Sequence, residues 1–210
     1  MPPVQDKAVR HWFVTGASGG LGRHLTAHAL RSGDRVTATV RRPSALDELR
    51  RTYGDRLSVE VLDLARPDDV QEVVGRTLRA GPVDIVVNNA GYAVVGAAEE
   101  MTAEQIRDQI EVLLLAPMMI TRAFLKPMRE QGGGRIIQIS SVGGQVGIPT
   151  HSAYHAGKWG LEASPRASAA KSATSASTSP SSSPAPPAPA SRRPWTTPPQ
   201  RPPTATTPSD

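Results

Sequence analysis

The sequence predicts an α/β fold: a doubly wound parallel sheet, incomplete at its C-terminal end and followed by a disordered tail. Three observations predict it. Short β-branched runs alternate with helix-like stretches through residues 11–163. A glycine-rich turn, TGASGGLG at Thr15–Gly22, joins the first run to the first helix. After Leu161, no Leu, Ile, Val, Met or Phe occurs again.

The expected strands are Trp12–Thr15, Arg35–Val40, Ser58–Leu62, Ile85–Val87 and Arg135–Ile139, each short and rich in Val, Ile or Thr. The expected helices are Leu21–Arg31, Ala45–Tyr53, Asp68–Arg79 and Ala103–Glu130, with a further one over Ser152–Glu162. Leu21, Leu25 and Ala29 recur at i, i+4 and i+8, which predicts the buried face of the first helix. Thr102 and Gln105 have the spacing of a capping box that opens the long fourth helix. Pro117 removes one backbone donor from that helix and predicts a kink.

The chain divides into an N-terminal extension (1–10), a body (11–163) and a tail (164–210). Of the 47 tail residues, 39 are Pro, Ser, Ala or Thr, and its one large apolar side chain is Trp195. Such a segment cannot bury enough surface to offset ordering entropy, so disorder is expected. Its composition also suits a shifted reading frame of a GC-rich gene; translating the coding DNA in the other two frames tests that. A native low-complexity tail is the alternative.

The absence of cysteine excludes disulfides and thiolate metal sites and fits a cytoplasmic location. No run approaches the roughly 18 apolar residues of a membrane span, and no signal peptide is recognised at the N-terminus. The net charge of +5 resides mostly in the tail, which carries +4. The body is nearly neutral, and a scattered basic tail without aromatic interleaving argues against a nucleic-acid partner.

The glycine turn carries the first chemistry. Gly16, Gly20 and Gly22 let backbone approach a ligand closely, with Ser18 and Leu21 on the same turn. The following helix N-terminus offers free N–H groups and a positive dipole end to a pyrophosphate. The same glycines also suit a tight turn with no ligand. The second strand ends in Arg41-Arg42, where dinucleotide folds that use NAD place an acid. Arginine there suits a 2′-phosphate, so NADP(H) is expected over NAD(H); a solvated pair closing the strand is the alternative. Asp63 and Leu64 follow the third strand, where an acid can accept from the adenine amino group or simply serve the loop. Asn88-Asn89-Ala90-Gly91 follows the fourth: asparagines suit backbone bonds across a strand junction, and the small pair permits close approach.

The second set is catalytic in type. Tyr154 and Lys158 share one helical face at i, i+4. An ammonium beside a phenol favours the phenolate, which lets the phenol exchange a proton while hydride moves at the adjacent carbon. Ser141, at the end of the fifth strand, has a hydroxyl suited to bonding a carbonyl oxygen. A Tyr/Lys pair at this spacing is also common on ordinary helices. His151 and His155 have no acid partner in register and read as pocket or surface groups; no metal site is expected.

Together, TGASGGLG at 15–22, Asp63, NNAG at 88–91, Ser141 and YHAGK at 154–158 resemble the short-chain dehydrogenase/reductase (SDR) family over about residues 11–163. The resemblance implies a Rossmann-like NAD(P)-binding domain that interconverts a carbonyl and an alcohol. It implies Tyr154 as acid/base, Tyr154 and Lys158 among the cofactor-binding residues, with Lys158 on the nicotinamide ribose and as stabiliser of the phenolate, and Ser141 as the substrate-orienting hydroxyl. A small-molecule carbonyl or alcohol is then the expected partner, and a homo-oligomer through the long helices is compatible with the family. Two departures stand out. Leu113 occupies the place of an asparagine that supports a water in the family's proton relay. The sixth strand, substrate-covering segment and seventh strand that the family places after the catalytic helix are not recognised in 164–210. A catalytically inactive dinucleotide-binding protein is therefore the alternative reading.

Overall fold

The computed structural model of the protein describes residues 8–169. The tail expected to be disordered from residue 164 is helical through Ala169, because the last helix runs on past the expected boundary. For residues 170–210 the expectations, both disorder and a shifted frame, lie outside the described residues.

Five parallel strands form one sheet: β1 (His11–Thr15), β2 (Arg35–Val40), β3 (Leu57–Val61), β4 (Ile85–Asn88) and β5 (Arg135–Gln138). Their order across the sheet is β3-β2-β1-β4-β5. Helices α1 (Gly20–Arg31), α2 (Asp47–Tyr53), α3 (Val70–Arg79), α4 (Ala103–Ile110), α5 (Ala116–Glu130) and α6 (Ser152–Ala169) complete the α/β architecture. Short 3-10 turns open α2 and α3, which therefore start two residues later than the sequence pattern suggests.

Alternate residues of β1, β4 and β5 feed two cores, as the period-2 geometry of a strand requires. Phe13 and Val86 enter one core, with Val73 and Val74 of α3 and Ile120 and Phe124 of α5. The Phe13 and Phe124 rings stand 5.0 Å apart in a tilted pair. Val14 and Val87 enter the other core, with Ala29 and Leu30 of α1 and Leu49 of α2. Both sheet faces are thus covered, the doubly wound, Rossmann-like arrangement.

Two expectations need correction. The buried residues of α1 are Gly22, Thr26, Ala29 and Leu30; of the expected row, Ala29 is buried and Leu25 packs partly buried against the core, but Leu21 does not join them. Leu21 is 52% exposed, because the helix begins at the rim of a cavity and its first turn points there. The single long helix 103–130 is instead two α-helices joined by a π-helical turn, Glu111–Leu115. Pro117 has no N–H to continue the α pattern; the backbone adds a residue, and the Ala116 N–H reaches back to Glu111. The helix does open at Thr102 with reciprocal bonds to Gln105.

Candidate active site

The order β2-β1-β4 reverses direction between β1 and β4, so a crevice opens at their C-terminal ends. Two glycines of the first turn, Gly16 and Gly22, are imposed by crowding there, whereas Gly19 and Gly20 have open space where a Cβ would stand. Gly16 has φ +67°, and a Cβ on it would stand 2.7 Å from Ala90 Cα. A Cβ on Gly22 would run into the Gly16 carbonyl and lie 2.5 Å from Asn89 Nδ2. The two turns are stitched together: Thr15 Oγ1 accepts from Asn89 N at 3.0 Å and Ala90 N at 3.1 Å. Asn89 Nδ2 donates to the Thr15 carbonyl at 2.9 Å. Asn88 points the other way, its amide donating to the Pro117 carbonyl and Thr121 on α5.

Beside this seam lies a cavity of about 540 Å³. Gly16, Ser18, Gly20 and Leu21 form one wall, and Asn89, Ala90 and Gly91 another. Arg41, Asp63 and Leu64 close the far end. Gly22 lies beneath the wall as packing, and Arg42 is exposed and does not line the cavity. Gly19 stands at the N-cap of α1 with no side-chain cap, so the first-turn N–H groups have no hydroxyl or carboxylate of their own. A pocket that glycines keep open beside an uncapped helix N-terminus fits a pyrophosphate. Asp63 commits one carboxylate oxygen to the Ala65 N–H at 3.1 Å. Tyr92 also lines the cavity; burial, with Asp108 and Asp63 nearby, raises its phenol pKa while Arg41 opposes.

The catalytic-type side chains gather one strand away, where β5 meets α6. Ser141 caps a short turn, Val142–Gly144, and its Oγ accepts from Gly143 N at 3.1 Å. This uses a lone pair and leaves the O–H to donate elsewhere. Lys158 is 5% exposed, and its Nζ donates to the Ile139 carbonyl at 2.7 Å. Burial lowers its pKa, and Glu162 partly opposes this. The turn sits directly on α6: a Cβ on Gly143 would stand 2.8 Å from the Tyr154 ring, and one on Gly144 3.1 Å from the Lys158 carbonyl. Ser141, Tyr154 and Lys158 therefore occupy one junction, outside the lining of the 540 Å³ cavity. Leu113 is fully buried in the π-helical turn. Its side chain fills the space above Gly157 and Gly91, and the latter lies near the Lys158 ammonium.

Two polar side chains that sequence reasoning left aside hold the loops of this site. Gln109 of α4 is fully buried. Its Nε2 donates to the Tyr92 carbonyl at 2.7 Å, and its Oε1 accepts from Val94 N at 3.1 Å. His155 is buried and bonds the loop on the other side, at Gly143 and Ile148. The two loops are joined by Gly96 N donating to the Thr150 carbonyl at 3.0 Å. The Gly143-Gly144 pair was the available signal for the second loop; nothing local to Gln109 marks it.

The family model described as short chain dehydrogenase matches residues 10–176. The chain belongs to the short-chain dehydrogenase family. Oxidoreductase BOA17 of Botryotinia fuckeliana is 38% identical over 152 residues, covering 71% of this chain and 56% of that protein. Uncharacterized oxidoreductase YusZ of Bacillus subtilis is 36% identical, covering 71% and 55%. The chain thus spans about half the length of the curated relatives it matches. A short-chain dehydrogenase structure from Streptomyces avermitilis superposes with a TM-score of 0.77 at 41% identity, over 80% of this chain and 62% of that one. A metagenomic short-chain oxidoreductase in complex with NADP gives 0.72 at 32% identity, over 78% and 75%. In this member of the family, the glycine seam lies after β1 and β4, and Ser141, Tyr154 and Lys158 lie where β5 meets α6.

Proposed function

We propose that the protein is an NADP(H)-dependent oxidoreductase that interconverts a carbonyl and an alcohol. The observation that carries this reading is the placement of a glycine-built pyrophosphate cradle and a serine–tyrosine–lysine junction at the C-terminal ends of neighbouring parallel strands. Gly16, Ser18, Gly20, Leu21, Asn89, Ala90 and Gly91 would hold the dinucleotide, with Asp63 and Leu64 at its adenine end. When bound, the nicotinamide supplies or accepts the hydride.

The chain's own residues handle the proton. Ser141, its Oγ oriented by the Gly143 N–H, donates its hydroxyl hydrogen to the substrate oxygen. Tyr154 gives a proton to that oxygen in reduction and takes it back in oxidation. Lys158, held by the Ile139 carbonyl, stands on the same helical face as that tyrosine, where its amine would bond the nicotinamide ribose. Arg41, at the cavity's far end, supports NADP(H) over NAD(H) through a 2′-phosphate; Arg42 contributes its charge from outside the lining. The loops after Tyr92 and Val142 would set substrate choice. A homo-oligomer through the long helices is supported by the exposed apolar residues Ile106, Leu115 and Met118. Among the described residues no helix is long and apolar enough to cross a membrane, which is compatible with a cytoplasmic location.

Fluorescence titration with NADPH and NADH, followed by a carbonyl panel, tests the proposal. Tighter NADPH binding that falls to NADH-like affinity in Arg41→Ala is expected, with turnover of at least one carbonyl. Cofactor binding without turnover favours a second reading, a dinucleotide-binding protein without catalysis. Leu113 is the observation that supports it: an apolar side chain stands where the family's asparagine supports a proton relay.

A further inference from the structure

We infer that His155 is a positioning residue: it fixes the Gly143–Ile148 loop through two opposed hydrogen bonds and thereby sets the Ser141 hydroxyl. Ser141 and Tyr154 are taken in the roles proposed above. His155 lies beside Tyr154 on α6 and is 9% exposed. Its Nε2 accepts from the Ile148 N–H at 2.8 Å. That nitrogen is therefore unprotonated, and the ring hydrogen resides on Nδ1, where it donates to the Gly143 carbonyl at 2.7 Å. Both ring nitrogens are used, and each in only one sense.

The two bonds do different work. Gly143 is also the residue whose N–H holds Ser141 Oγ. A chain of contacts thus runs from the imidazole to the Gly143 carbonyl, and from the Gly143 amide to the serine hydroxyl. A Cβ on Gly143 would lie 2.8 Å from the Tyr154 ring and 3.0 Å from His155 Nδ1, so the glycine rests against both rings. Ile148 lies five residues further on, and its bond to Nε2 closes the loop over the helix. Beyond it, Thr150 holds the loop end in a left-handed conformation, φ +68°, with its carbonyl bound to Gly96. His155 is thus the inner anchor of a wall whose outer anchor is the Thr150–Gly96 bridge. Val142, Val146 and Ile148 on this wall expose apolar side chains beside the Tyr154 junction. The Nδ1 bond serves the reacting oxygen through Ser141, while the Nε2 bond serves the shape of the substrate wall.

Three variants separate these roles. His155→Asn keeps a donor near the Nδ1 position but does not reach Ile148. His155→Gln places an acceptor near the Nε2 position but loses the Gly143 bond. His155→Ala loses both. Hydrogen exchange at the Ile148 amide, cofactor affinity, kcat and KM are measured for each on the full chain. In His155→Ala, exchange at Ile148 rises about tenfold, the size one net hydrogen bond supplies. Its kcat falls and KM rises, each about tenfold, while cofactor affinity stays within about twofold because the cradle lies on other strands. His155→Asn recovers kcat but not KM or Ile148 protection; His155→Gln recovers protection and KM but not kcat. Equal losses in all three variants, or a parallel loss of cofactor affinity, would show a residue that merely supports the fold and overturn the inference. If the wild-type chain turns over no carbonyl, the catalytic proposal fails on its own. Ile148 protection that is lost in Ala and Asn and kept in Gln still supports the anchor, and any other pattern refutes it.

Discussion

The proposed cofactor side and the proposed proton-transfer side of this site are built in opposite ways. The cradle between β1 and β4 is made of backbone: Gly16 and Gly22, which admit no Cβ, an uncapped helix N-terminus and an asparagine that stitches two turns. Its strands are buried nearly throughout. The junction of β5 and α6 is made of side chains fixed by backbone groups: Ser141 by Gly143 within its own turn, Lys158 by Ile139 and His155 by Gly143 and Ile148 from neighbouring segments. Its strand, β5, is only half-buried and forms an edge of the described sheet. The difference teaches that one half fails when an atom is added, and the other when an atom is removed.

The largest effect is expected where an atom is removed. Tyr154→Phe deletes the phenolic proton donor, and steady-state kinetics should show kcat lower by about 10²–10⁴. NADPH affinity should stay within about twofold, since Tyr154 lies outside the cradle lining. Retained turnover would dissolve the division between the two halves. Adding an atom comes next. Gly22→Ala drives a methyl into the Gly16 carbonyl, and the backbone must shift. A stability loss of about 1–3 kcal/mol is expected by denaturant titration, with weakened NADPH binding. Unchanged affinity would mean the seam does not shape the cofactor site.

Leu113→Asn probes the contact between the halves, since Leu113 touches both Gly91 of the cradle and Gly157 of α6. Resemblance to the family asparagine predicts a several-fold gain in kcat. A buried, partly satisfied amide costs about 1–3 kcal/mol, so the thermal midpoint should fall in the same variant. A lower midpoint without a gain in kcat would place the limitation elsewhere. The smallest effect belongs to Thr150→Gly. A β-branched residue at φ +68° is strained by about 1–2 kcal/mol, and glycine relieves it. Glycine's larger unfolded-state entropy offsets part of that, so a stability change within about 1 kcal/mol is expected, with KM more affected than kcat.

The legibility of the two halves follows from the same contrast. A backbone-built site must be written in glycine, and Gly16, Gly20 and Gly22 stand together within one turn. The strands were legible to within a residue, because β-branched runs and their period mark buried parallel strands well. The long helix was legible at its start, where Thr102 and Gln105 cap locally, and less so at its middle. Pro117 announced a disturbance, but whether a helix answers it with a bend or an inserted π residue depends on what packs against it. Leu21 had the right period for the core and lies at the cavity rim instead, because the approach of the β1 and β4 turns sets where α1 begins. Gln109 and His155 were not legible as anchors. Their partners lie on loops 7–17 residues away, whose carbonyls and amides carry no side-chain signature.

The sequence by itself determined the alternation of strands and helices, the glycine turn and the Tyr154/Lys158 face, since each is a local pattern with a local physical cause. It also determined that 164–210 offers a single large apolar side chain, Trp195, too little for a core. Only the tertiary structure decided that Lys158 is held by Ile139, and that His155 and Gln109 anchor the two loops around it. Those are hydrogen bonds between backbone groups and side chains from separate elements. Their partners are chosen by where the sheet and helices place buried donors and acceptors, each of which must be satisfied.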